Sequence, residues 1–189
     1  MQVHNQAKDF IIESVLSVKG TQPFDWSCYE KVKSNSRGGD AGAPGKHIES
    51  LVLGKLPDKF KTPDKGINPD AKGSELKTKK IKNISDIEKS VSVWLSSFDR
   101  NNPRKAYDDT WLKIRKNVFL LKFTYDENKK QVDILRAVLY SNATSYDDFC
   151  KLSRFSKPHS TKQGRNYSPS LWLTENRMKK LYKKREVLF

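Results

Sequence analysis

Cysteine is nearly absent from this chain. Cys28 and Cys150 stand alone in 189 residues, and neither belongs to a CxxC pair. That excludes a disulfide framework and a cysteine-held zinc site, leaving buried free thiols as the default. Histidine is as scarce, and His4, His47 and His159 show no zinc-ligand spacing. No apolar run approaches the roughly 20 residues of a membrane span. The opening MQVHNQAKDF lacks the apolar block of a signal peptide. We therefore expect a soluble, cytoplasmic protein with no membrane partner. Acid is also in short supply, with 22 Asp and Glu against 37 Lys and Arg.

The resulting net charge of +15 draws the protein towards polyanions, chiefly nucleic acid. The excess is uneven. Residues 151–189 hold eleven Lys or Arg against Glu175 and Glu186, a surplus of nine. The same segment contains Phe155, Tyr167, Leu171, Trp172, Leu173, Met178, Leu181 and Tyr182. A disordered tail would not carry that apolar content. We read it as a folded, basic, DNA-facing element.

Periodicity outlines a mixed α/β chain. Val3, Ala7, Phe10, Ile11, Val15 and Val18 predict a helix over 2–18 that ends at Gly20. A Gly/Ser/Asn-rich loop covers 34–45. KHIESLVLGK starts a second helix over 46–54, with Ile48, Leu51 and Val52 inward and Gly54 as C-cap. Prolines break the chain between Leu56 and Pro69. SELKTKKI, 74–81, alternates as a half-exposed strand. Residues 84–98 fit a helix through Ile84, Ile87, Val91 and Leu95, or a strand through Val91, Val93 and Leu95. Two β-rich runs, 117–125 and 131–140, flank the polar turn DENKK as a hairpin. A short helix follows at 145–152 with Ser145 as N-cap, and TENRMKKLYKK predicts a basic helix over 174–184.

The stretch GINPDAKGSELKTKKIK holds Asp70, Glu75 and Lys77. In an extended strand, residues two apart share a face, so Glu75 and Lys77 point one way and Leu76 the other. Asp70 reaches the same spot across the short AKGS connection. Two carboxylates suit a hard divalent cation, and phosphodiester hydrolysis needs such a cation to activate water and neutralise charge. The bland alternative is a solvated, lysine-rich hairpin. Glu127-Asn128-Lys129 repeats the Glu-x-Lys spacing, but in a turn, with a polar middle residue and only Asp126 nearby. Glu49 lies on the inward-leaning side of the second helix near Ile48 and Val52. It either keeps its head in water at the edge of that stripe or faces the cleft that Asp70 opens.

With GKHIESLVLG, PDAKGSELKTKK and TWLKIRKNVFLLKF in that order, the sequence resembles the PD-(D/E)XK nucleases of the MutH type. These are the mismatch-repair nickase MutH, type II restriction enzymes that cut GATC and, more distantly, the monomeric MvaI and BcnI. The resemblance begins at VHNQAKDFIIESVL and returns in SLWLTENRMKKLYKK, leaving the loops at 20–40 and 141–168 unmatched. The Asp-to-Glu spacer is short, as in MvaI rather than MutH. The resemblance implies a restriction-endonuclease-like core, a central mixed β-sheet flanked by helices. It also implies a Mg²⁺ cofactor and double-stranded DNA as partner. Asp70 and Glu75 match the metal-binding acids, Lys77 the catalytic lysine and Glu49 the helix glutamate of the active site. Lys113 or Lys116, after Trp111 in the family's Trp-x-Lys strand, matches a further lysine near the phosphate.

Residues 157–167, KPHSTKQGRNY, stand where such enzymes carry a DNA-reading loop. Lys157, Lys162 and Arg165 suit guanine edges, and Gln163 and Asn166 suit adenine edges. Equally, these cations touch only phosphate. Tyr167 and Trp172 pack either in the core or against a base. Lys179, Lys180 and Lys183 on the C-terminal helix are expected to contact phosphates. We expect one endonuclease domain over 1–189, with a catalytic lobe of about 1–140 and a DNA-recognition lobe of about 141–189, acting as a monomer or transient dimer on DNA. The expected activity is Mg²⁺-dependent, sequence-specific cleavage by a type II restriction enzyme of MutH type. The rivals are a MutH-like strand nickase and a non-catalytic basic DNA-binding protein. The intact Asp70, Glu75 and Lys77 count against the last.

Overall fold

The stripe of Ala7, Ile11, Val15 and Val18 buries completely, making the first segment an amphipathic helix, α1, Gln2–Ser17. In a computed structural model, which describes residues 2–23, 43–62, 69–97, 103–155 and 170–189, this helix lies on a mixed sheet. The strands are β1 (Gly20–Pro23), β2 (Ser74–Lys80), β4 (Asn117–Asp126), β5 (Gln131–Ala143) and β8 (Tyr182–Val187). Strand β5 is the hub. Antiparallel β4 takes one edge, while β1 and β8 share the other, opposite residues 131–134 and 138–143. Strand β2 then adds parallel to β4 and ends the order β1-β5-β4-β2.

Side-chain parity splits the core into two layers. Leu76, Phe119, Leu121, Phe123, Ile134 and Leu139 face α1 and the helix α2, Ala43–Leu53, which contributes Ile48 and Val52. The register slips between Lys122 and Phe123, whose partners are Arg136 and Ile134, so Leu135 is an extra residue. That bulge lets Ile134 and Leu139 share one face. Val118, Leu120, Val138 and Tyr140 face the other layer. It comprises β3 (Ser92–Ser97), α3 (Pro103–Ile114), α4 (Tyr146–Leu152), β7 (Ser170–Thr174) and α5 (Glu175–Leu181). Strands β3 and β7 form a second, antiparallel sheet with the short β6, Arg154–Phe155.

One open reading is settled and three expectations are corrected. Residues 84–97 hold a single 3₁₀ turn, Ile84–Asp86, followed after a short connection by β3; Ile84 is exposed, whereas Val93 and Leu95 are buried. The strand reading prevails because only its alternation buries. The second helix begins at Ala43, three residues before the expected start. Trp111 and Lys113 lie on helix α3, not on a strand: Ala106, Thr110 and Ile114, spaced by four, bury one helical face, and Pro103 sits at the helix start. Finally, the C-terminal helix stops at Leu181. Residues 182–187 instead pair along the edge of β5 that β1 leaves open, placing Lys183 on a strand.

A buried charge cluster joins the layers. Lys122 is 1% exposed and donates to the carbonyls of Ile87 (2.8 Å) and Lys89 (3.0 Å). Its Nζ also lies 2.6 Å from Glu175 Oε2, a close ion-pair contact outside hydrogen-bond geometry. Glu175 Oε1 accepts from Tyr140 Oη (3.1 Å), and Glu175 N–H donates to Val91 O (2.8 Å). Strand β4, the 87–91 connection and α5 are thus tied at one point.

Candidate active site

The connection before β2 is a tight turn. Ala71 and Ser74 exchange backbone bonds of 3.0 and 2.9 Å, and between them Gly73 adopts φ +75. A side chain there would cost about 1–2 kcal/mol. Asn117, at the start of β4, donates from Nδ2 to Gly73 O (3.1 Å) and Ser74 Oγ (3.4 Å). It holds the turn from the neighbouring strand. Asn117 carries no sequence signal for this role, since a polar residue at a strand start looks like a boundary. Gly73→Ala is expected to lower stability by about 1–2 kcal/mol in urea titrations and to disturb the spacing of Asp70 from Glu75.

The turn brings the predicted acids together. Leu76 N–H donates to Asp70 Oδ2 (2.7 Å), and Asp70 N–H donates to Glu75 Oε2 (3.2 Å). Each acid therefore fixes the backbone of the other's segment. Lys77 Nζ lies 2.6 Å from Glu75 Oε1, with the Glu75 side chain 3% and the Lys77 side chain 19% exposed. Leu76 points into the α1/α2 layer, as the alternation required.

Glu49 joins from helix α2. Gly45 lets that helix press on β2, since a Cβ there would come 2.5 Å from Thr78 Oγ1. One turn later, Glu49 pairs with Lys46 (2.5 Å) and lies within electrostatic reach of Lys77 and Asp70. Burial raises the Glu49 carboxyl above the ordinary glutamate value, opposed by Lys46 and Lys77. For Lys77, burial favours the neutral amine, but Glu75, Asp70 and Glu49 outweigh it and push the pKa upward. Lys77 is held as an ammonium.

Among the described residues, no group of three His, Cys, Asp or Glu is arranged to hold a metal ion. The donor set nonetheless suits one class of cation. Magnesium uses one or two carboxylates plus water and substrate phosphate, and each carboxylate has about four acceptor positions. The bonds that Asp70 and Glu75 make leave capacity for such an ion.

The remaining predicted residues are dispersed. Lys113 is in the last turn of α3, which packs near β2. Lys116 lies between α3 and Asn117, half-buried. Lys179 and Lys180 are exposed on α5, and Lys183 is exposed on β8. Lys157, Lys162, Gln163, Arg165, Asn166 and Tyr167 lie outside the described residues, as does His159. Trp172 is half-buried beside Trp94, ring centroids 6.3 Å apart, while its neighbours Leu171 and Leu173 fill the core. Glu127 is exposed in the hairpin turn, where Asp126 Oδ1 accepts from the N–H groups of Asn128 and Lys129. It has no place at the acid cluster.

No protein-family model matches the chain, and no curated protein matches it. Among solved structures, the fold is similar to that in a complex of the restriction endonuclease MvaI with its cognate DNA substrate. The TM-score is 0.52 at 12% sequence identity, over 100% of this chain and 99% of that chain. At that identity the likeness concerns fold. The chain has a restriction-endonuclease-like α/β fold, a mixed central sheet flanked by helices.

Proposed function

We propose that the protein is a Mg²⁺-dependent, sequence-specific endonuclease of double-stranded DNA, a type II restriction enzyme of MutH type. The observation that carries this reading is the convergence of Asp70, Glu75 and Lys77, with Glu49 in reach, at the start of β2 in such a fold. Asp70 and Glu75 would hold the Mg²⁺, with Glu49 beside them. When bound, the ion supplies Lewis-acid activation of water and neutralises charge on the scissile phosphate. Lys77, surrounded by three carboxylates that favour its ammonium form, is a hydrogen-bond donor. It orients the attacking water and stabilises negative charge as it develops on the phosphate. Asn117 and Gly73 act through the turn, as positioning residues.

The basic surplus supports duplex DNA as partner. Lys179, Lys180 and Lys183 would contact phosphates, and Lys113 or Lys116 would approach the phosphate near the bond that is cut. The loop bearing Lys157, Lys162, Gln163, Arg165, Asn166 and Tyr167 would read base edges. In this reading residues 1–140 form the catalytic lobe and 141–189 the recognition lobe, with β8 returning to the catalytic sheet. The enzyme would work as a monomer or transient dimer. No helix among the described residues is long and apolar enough to cross a membrane.

Incubation with supercoiled plasmid in Mg²⁺ or EDTA tests the reading and separates linear from nicked product. Cleavage only with Mg²⁺ is expected; an intact plasmid under both conditions contradicts it. Glu49→Gln removes a charge at the cluster and is expected to slow single-turnover cleavage. An unchanged rate at saturating Mg²⁺ returns Glu49 to a role on the surface of α2.

A further inference from the structure

A second charged feature opens at the same end of the sheet. A cavity of about 780 Å³ is lined by Lys8, Lys116, Lys183, Lys184 and Arg185, with Glu186 as the acid among its described lining residues. The cations come from α1, from the α3–β4 junction and from β8, elements far apart in sequence. Lys183, Lys184 and Arg185 are exposed, and Lys8 Nζ lies 3.9 Å from Asp9. Such a concentration of cations strongly favours an anion with several charges.

Asn117 connects this cavity to the acid cluster. It lines the cavity and also holds the Gly73–Ser74 turn between Asp70 and Glu75. In the sheet register, Ser74, Asn117, Ser141 and Lys184 form one row, next to the row that begins with Glu75. Three strand spacings separate Ser74 from Lys184, roughly 14 Å, which is the axial span of about four nucleotides of one DNA strand.

We infer that this cavity holds the sugar–phosphate backbone of duplex DNA a few nucleotides from the bond being cut. The inference rests on the nuclease reading for its direction; it assigns Lys8, Lys116, Lys183 and Lys184 to phosphates rather than bases, which leaves Lys113 as the lysine near the bond that is cut. Among the described residues, its lining offers ammonium groups, the Arg185 guanidinium and small polar side chains, with no aromatic surface on which a base would stack. The site therefore positions the strand without reading its sequence.

The test measures binding of a 30-base-pair duplex in EDTA across a sodium chloride series. Wild type is compared with a variant combining Lys8→Gln, Lys116→Gln, Lys183→Gln and Lys184→Gln. Arg185 is left in place because it lies beside the buried Tyr140 hydroxyl. A control variant neutralises Lys59, Lys82, Lys129 and Lys130, exposed lysines away from the cavity. Each lost phosphate contact removes about 0.9 from the slope of log K against log salt. The cavity variant should lose about 3.6 in slope and the control clearly less, with both unfolding at the wild-type temperature. Equal slopes for wild type and the cavity variant overturn the inference, as does an equal loss in the control. Calorimetry with tripolyphosphate forms a second arm: lost tripolyphosphate binding with an unchanged DNA slope makes this a small-anion site and overturns the inference. If wild type fails to cut plasmid while the cavity variant still loses slope, the backbone site stands and the nuclease reading falls.

Discussion

Replacing Glu75 or Lys77 by alanine is expected to abolish cleavage, lowering the single-turnover rate by roughly 10³-fold or more, while duplex binding stays largely intact. In the proposed mechanism Glu75 is one of the two acids that would hold the cation, and it also accepts from Asp70 N–H, so its loss would remove a ligand and loosen the other acid. Lys77 supplies the ammonium on the same strand face. In the same reading neither residue supplies much affinity, because phosphate contacts made elsewhere by the basic surface would dominate binding. Both side chains are largely buried, and truncating one leaves the other's charge without its partner. Glu75→Gln, which keeps shape, and thermal unfolding of every variant separate lost chemistry from lost structure. Wild-type rates in Glu75→Ala would show that the site is wrong. Glu127→Ala, which alters the same sequence spacing on an exposed turn, should leave cleavage unchanged.

Lys122→Met is expected to produce the largest loss of stability. Breaking a buried ion pair by removing one partner costs about 3–5 kcal/mol, because the surviving charge stays buried and uncompensated. Here the carboxylate of Glu175, 3% exposed, would keep the Tyr140 hydroxyl as its hydrogen-bond partner among the described residues, and the carbonyls of Ile87 and Lys89 would lose their shared donor. For a chain of this size, the loss corresponds to a fall in Tm of about 10 °C. The double variant Lys122→Met, Glu175→Gln should recover much of it, since no unpaired charge remains and Tyr140 keeps an acceptor. Urea titration of the single and double variants measures both terms. A single-variant loss below about 1 kcal/mol, or a double variant no better than the single, would show that the cluster does not join the layers energetically.

The legible parts of the fold were those where one physical signal dominated. The stripe from Ala7 to Val18 leaves no alternative to an amphipathic helix, and the two β-rich runs around DENKK leave none to a hairpin. The acid cluster was legible for a similar reason: strand parity alone puts Glu75 and Lys77 opposite Leu76. Helix α3 was hidden because its buried stripe consists of Ala106, Thr110 and Ile114, small or polar at two of three positions. The C-terminal strand was hidden because Lys183 to Glu186 are good helix formers. The edge of β5 overrides that preference by offering a ladder of backbone bonds, and lysines suit an edge strand. Lys122 shows a signal that was present and unused. It shares parity with Val118 and Leu120, so the alternation that buries them buries it too. A lysine at such a position needs acceptors, and those lie on the 87–91 connection and α5, which no local pattern could place.

The central claim is a metal-dependent cut at a defined sequence by the cluster around Asp70. It is tested most directly by digesting methylated and unmethylated phage DNA with wild type and Asp70→Asn in Mg²⁺, and then sequencing every fragment end. The account predicts ends that share one short sequence for wild type in at least one of the two DNAs, and no such ends for Asp70→Asn. Fragment ends without a common sequence, or the same ends from Asp70→Asn, would contradict it.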